Sequence, residues 1–200
     1  MKTLPLHTPQ PRAATAWPAR IRRLCLLGGE SAGKTTLAQA LAHRLGTTWV
    51  AEYGRERWLD IGGTFSLDEL LAVAQEQVAR EEGAAAGAKG WLVCDTSPLT
   101  TLVYALLDHG SAPAELTRLA RRPYDLVLLC APDFAFVQDG ARRDASFRAD
   151  QHALTLRTLA DLGHAHVLVH GSLEARVAQV LVHIAAIDAR HATTARTVAA

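Results

Sequence analysis

One stretch constrains this chain more than any other. GGESAGKT, residues 28–35, fits the pattern G-x-x-x-x-G-K-[ST] and lies between an apolar run at 23–27 and a segment whose Leu37, Leu41 and Leu45 recur every four residues. An apolar strand, a glycine-rich turn and an amphipathic helix in that order make a loop whose backbone N–H groups, together with the helix N-terminus, cradle phosphate oxygens. Residues Gly28, Gly29, Glu30, Ser31, Ala32, Gly33, Lys34, Thr35 and Thr36 are therefore the expected nucleotide-binding set. In it, Lys34 neutralises the β and γ phosphates and the Thr35 hydroxyl ligates Mg²⁺. The ligands this predicts are ATP and Mg²⁺.

The same stretch sets the fold class. Further apolar runs are expected as strands at 47–52, 91–94, 125–130 and 166–170. Helical patterns near 66–82, 100–107, 113–121, 149–162 and 173–187 alternate with them. The capping box Ser66-Leu67-Asp68-Glu69 starts one helix, and Gly46 and Gly163 each end one. The expectation is an α/β, P-loop kinase-like three-layer fold: a five-stranded, mostly parallel sheet with helices on both faces. Two hundred residues, 49% of them apolar, suffice for one core and not for two. The expected organisation is a disordered leader at 1–20, a P-loop kinase domain at 21–187 with a lid near 139–150, and a flexible tail at 188–200. Residues 53–64 are read as a long polar, aromatic loop.

A net charge of +1 gives no reason to expect nucleic acid or an anionic membrane as partner. Cys25, Cys94 and Cys130 each sit in an apolar run, as reduced core thiols do, and no secretory segment is seen, so the cytoplasm is the expected compartment.

In open parallel sheets ligands bind beyond the carboxyl ends of the strands, which selects the remaining candidates. Asp95 closes the third strand, where it could organise Mg²⁺ and act in catalysis. Glu52 closes the second and could take the proton of an attacking hydroxyl, a role for which Asp95 competes. Beyond the fourth strand Arg142, Arg143 and Arg148 surround Gly140, reading as a lid whose arginines close on the phosphates as a catalytic element. Trp49, Tyr53, Trp58, Tyr104, Phe134 and Phe136 gather near strand ends, which suits a planar substrate ring, and Gln77 could hydrogen-bond a ligand.

The succession GGESAGKTTLA, WVAEYGRE, AQEQ, CDTSPLTT and YDLVLLCAPDFAFVQDGARRD resembles the ribosylnicotinamide kinase domain of the NadR-type proteins. That resemblance implies ATP-dependent phosphorylation of the 5′-hydroxyl of nicotinamide riboside, giving nicotinamide mononucleotide and ADP. It implies that Glu52, Tyr53, Asp95 and Asp139 lie near the riboside and that Arg142 belongs to the lid. Asp133, Phe136 and Gln77 join the expected acceptor contacts, with Phe136 standing where the family usually has tryptophan. No H-x-G-H signature precedes the loop, so the expected reaction stops at the mononucleotide.

Overall fold

The computed structural model describes residues 20–137 and 143–198. Asp139, Gly140 and Arg142, and the expected leader but for Arg20, lie outside the described residues.

Five strands run β1 (Arg22–Leu27), β2 (Trp49–Val50), β3 (Trp91–Asp95), β4 (Leu126–Cys130) and β5 (Val167–Val169), all parallel in the order β2-β3-β1-β4-β5. Seven helices among the described residues are α1 (Lys34–Leu45), α2 (Tyr53–Ile61), α3 (Leu67–Ala85), α4 (Pro98–His109), α5 (Ala114–Ala120), α6 (Ala145–Leu162) and α7 (Leu173–Val198).

Strand alternation sorts the core into two layers. Leu24 and Leu26 of β1, Val93 of β3 and Leu128 of β4 point to one face, where they meet Leu37 and Leu41 of α1 and Val180 of α7. Cys25, Leu27, Leu92, Cys94 and Leu129 point to the other and meet Leu70, Val103, Leu116 and Leu159 of α3 to α6. This division follows from the order of the strands. The chain leaves β1 toward β2 in one direction and leaves β3 toward β4 in the other, so right-handed crossovers place the intervening helices on opposite faces. Each fully buried leucine contributes about 2 kcal/mol of transfer free energy. The three cysteines are free and buried, as expected.

Five local expectations are corrected. Residues 53–61 form α2 rather than a loop, closed by Gly62, whose N–H bonds the Trp58 carbonyl. No residue of α2 is fully buried, so it lacks the apolar stripe by which a helix is read from sequence. Strand β2 is two residues long. Helix α4 begins at Pro98, with Ser97 as cap and proline in the first turn, and α6 begins at Ala145 under an Asp144 cap. Helix α7 continues past Ile187 to Val198, and its Asp188 accepts from Trp91 Nε1 at 3.0 Å and pairs with Arg22 at 2.8 Å. No described helix is long and apolar enough to cross a membrane.

Candidate active site

Strand register assembles the site. Leu26 of β1 pairs with Asp95 of β3, and Val50 of β2 pairs with Cys94. Residues 28–35, Asp95 and Glu52 therefore emerge at one sheet edge, where β1 and β3 send their connections to opposite faces.

The loop is held from all sides. Gly28 adopts φ 138°, and a Cβ there would stand 2.8 Å from the Cys130 carbonyl oxygen, so only glycine fits. Gly33, φ 78°, caps α1, and a Cβ on it would come 3.1 Å from the Phe134 ring. Glu30 N–H donates to Gln151 Oε1 at 2.8 Å, and Val137 N–H donates to Ser31 Oγ at 3.0 Å. Arg176, 1% exposed at the start of α7, donates to the carbonyls of Ala32 at 2.7 Å and Ala131 at 2.8 Å, pairs with Asp133 and stacks 4.3 Å from the Phe134 ring. Lys34 Nζ donates to the Gly28 and Gly29 carbonyls at 2.9 and 3.1 Å.

Beside the loop opens a cavity of about 370 Å³, within the range of small-molecule sites. The residues Glu30, Ser31, Ala32, Gly33, Lys34, Thr35 and Thr36 line its phosphate end. Glu52, Gln77 and Arg143 line it too, so these expected site residues are brought together. Its aromatic walls are Trp58, Phe65 and Tyr104.

The two carboxylates differ. Asp95 is buried beneath the cavity with Oδ1 unpartnered; burial raises its pKa, while the Thr35 hydroxyl and the Lys34 charge pull it back. Glu52 faces the cavity. Burial raises its pKa as well, opposed by Lys34 and reinforced by Asp95. An orphaned buried acceptor beside a threonine hydroxyl at the phosphate end fits a Mg²⁺ ion that draws its other ligands from phosphate and water. No cluster of three His, Cys, Asp or Glu able to hold a metal occurs among the described residues.

Arg143 meets the cavity, but its guanidinium is engaged by Asp108 through two bonds of 2.7 Å and lies 4.0 Å over the Phe147 ring. Its N–H donates to Glu30 Oε2, whose other oxygen accepts from Tyr104 OH. Arg148 lies against Gly29 and donates to the Phe134 carbonyl at 2.9 Å.

Three expected acceptor contacts do not line the cavity. Tyr53 opens α2 with its ring under Arg80 at 4.2 Å, because that helix turns the side chain away toward α3. Asp133 is held on the far side of the loop, accepting from Gly171 N–H at 2.6 Å and pairing with Arg176. Phe136 sits under Arg148 at 5.5 Å. Sequence reasoning missed Arg176, Gln151, Asp108, Phe65 and Thr96. Of these Thr96 alone carried a signal, standing directly after Asp95.

Residues 23–176 match the family model described as an AAA domain. Among solved structures, a NadR protein in complex with NR is 23% identical with a TM-score of 0.65, over 86% of this chain and 51% of that one. A NadR protein in complex with NAD and AMP-PNP gives 22% and 0.64, over 86% and 49%. Thymidylate kinase from Ehrlichia chaffeensis gives 15% and 0.61, over 82% and 98%. The chain thus spans about half the length of the NadR structures it matches, and these likenesses show a shared P-loop kinase fold. With its phosphate loop, Asp95 and sheet order all inside the matched segment, the chain belongs to the AAA domain family of P-loop proteins.

Proposed function

We propose that this protein transfers the γ-phosphoryl group of ATP to the 5′-hydroxyl of a nucleoside, with nicotinamide riboside as acceptor and nicotinamide mononucleotide and ADP as products. The observation that carries the reading is Glu52, a carboxylate facing the same cavity as Lys34 and Thr35. A phosphate-binding loop alone would serve many purposes. A base opposite it, in a cavity the size of a nucleoside, supports transfer to a hydroxyl.

Loop N–H groups and the α1 N-terminus bind the phosphates, and Lys34 turns from the Gly28 and Gly29 carbonyls to the β and γ oxygens. Thr35 and Asp95 would hold Mg²⁺, which neutralises charge on the transferring group. The acceptor oxygen bonds to the γ-phosphorus as the bond to the β-phosphate oxygen breaks and its electron pair leaves with ADP. Glu52 takes the hydroxyl proton. Its raised pKa makes it a better base than an exposed carboxylate. Trp58, Phe65 and Tyr104 exclude water and offer π-faces to a cationic pyridinium ring.

The deciding experiment incubates the protein with ATP, Mg²⁺ and a nucleoside panel that includes nicotinamide riboside, and measures ADP. Riboside-dependent ADP is expected. Preference for a neutral nucleoside would keep the kinase and replace the acceptor, and ADP formed equally without acceptor would make the protein an ATPase.

A further inference from the structure

Gln77 occupies a position on α3 where an apolar residue would ordinarily be found. The buried positions of that helix are Leu70, Val73, Ala74, Gln77 and Glu81, a single stripe facing the core. Gln77 is 2% exposed and lines the cavity. Its Oε1 accepts from the Tyr53 N–H at 2.9 Å. Only an oxygen can accept from that donor, so the orientation of the carboxamide is dictated by the backbone of α2. The other end of the group, Nε2, is buried and has no hydrogen-bond partner. A buried amide donor left unpaired is costly, and such groups are rare unless a ligand or water completes them.

From this we infer that Gln77 is the residue that selects the acceptor, and that it does so as a hydrogen-bond donor: the ring it recognises carries a carbonyl oxygen, as in a carboxamide, a carboxylate or a ring carbonyl. The inference rests on the kinase reading only for the identity of the cavity. The polarity is set by the Tyr53 N–H, which turns a two-faced side chain into a one-faced one. Trp58 and Phe65 flank the same cavity and can hold a ring flat, but a π-face does not distinguish substituents. Gln77 supplies the distinction. A site built to pair a substrate oxygen rejects the analogue lacking it far more strongly than an apolar wall rejects an extra atom, because the protein's own donor is then stranded.

The test uses the full chain, with three probes that differ only on the ring: nicotinamide riboside, nicotinic acid riboside and the unsubstituted pyridine riboside. Equilibrium binding by calorimetry and acceptor-dependent ADP formation are both measured, on the unaltered protein, on Gln77→Met and on Gln77→Glu. Methionine keeps the length and loses the donor. Stranding the Tyr53 N–H affects all three probes alike, so the ratio between probes is the quantity read. The expected result is that the unaltered protein binds both carbonyl-bearing ribosides at least about tenfold more tightly than the unsubstituted one, and that Gln77→Met erases the preference. Gln77→Glu, assayed at alkaline pH where its carboxyl is ionised, should reject the carboxylate riboside while the carboxamide riboside turns its NH₂ inward and is retained. Equal binding of all three probes by the unaltered protein, or a preference that survives Gln77→Met, overturns the inference. Selective binding without acceptor-dependent ADP overturns the kinase reading and leaves Gln77 as the selector. Binding of none of the three overturns the inference and removes nicotinamide riboside as the acceptor.

Discussion

The two ends of the cavity are built on opposite plans. The phosphate end is nine consecutive residues, 28–36, whose working groups are largely backbone N–H and one ammonium. The opposite end, where we propose the acceptor binds, is lined by side chains scattered over 52–108: Glu52 after β2, Trp58 on α2, Phe65 before α3, Gln77 on α3, Tyr104 and Asp108 on α4. The contrast teaches that a chemistry common to all nucleotides can be written as a local motif, because the sheet edge and the helix dipole are already in place. Recognition of one acceptor has to be assembled from elements that meet only in the folded chain.

Four substitutions would break or sharpen that contrast. The largest effect belongs to the phosphate end. Lys34→Met keeps the buried stem and removes the ammonium, and transfer should fall about a thousandfold or more, with the melting temperature nearly unchanged. A single-turnover assay retaining near-normal rate would dissolve the distinction between the ends. Next comes Glu52→Gln, for which kcat should drop about a hundredfold while ATP affinity holds. A base acts when deprotonated, so the unaltered rate should rise with pH through the lifted pKa of Glu52, and the variant should lose that limb. Collapse of ATP affinity instead would move Glu52 to the phosphate end.

One turn beyond Gln77, α3 buries Glu81, which accepts from Tyr124 OH at 2.9 and 3.0 Å and meets Arg122 at 3.3 Å. Burial pushes its pKa up to about 7, against the Tyr124 and Arg122 contacts. The folded state therefore holds this proton more tightly than the unfolded chain. The stabilisation is complete below the ordinary value of 4.5 and is lost as pH rises through about 7. Glu81→Gln should flatten that slope by about 3 kcal/mol across the window in denaturant titrations. A slope unchanged in the variant would remove pH sensitivity from the acceptor scaffold.

The smallest effect is at Thr96, a β-branched residue at φ 88°, 4% exposed, which lines the cavity and buries an unpartnered hydroxyl. Thr96→Gly relieves the left-handed strain and should stabilise by about 1 kcal/mol, net of glycine's greater unfolded-state freedom. Turnover should fall about tenfold at the same time. Gain in stability with no loss of turnover would reduce Thr96 to a turn residue.

How far each residue could be read in advance follows from the same contrast. Asp95 was legible because it closes an apolar run, and the register of β3 against β1 then carried it to the loop. Glu52 and Asp95 could not be told apart in the sequence; their difference lies in depth, one facing the cavity and the other buried beneath it. Tyr53 and Phe136 are aromatic residues near strand ends, as are Trp58 and Tyr104, yet α2 turns Tyr53 toward Arg80 and Phe136 packs under Arg148. Asp133 looked like a ligand contact and is bonded instead to Gly171 and Arg176.

By itself, the sequence determined the layered α/β architecture, the phosphate loop and the core cysteines, because strand and helix periodicity and the glycine spacing of a turn are properties of neighbouring residues. Only the tertiary structure decided that Arg176 braces the loop through Ala32, 144 residues upstream of it, that Arg143 answers to Asp108, and that Gln77 is buried with its Nε2 unpaired. Those depend on which helix covers which face of the sheet. A side chain's partner across the fold is set by crossover handedness and packing, and neither leaves a local trace in the chain.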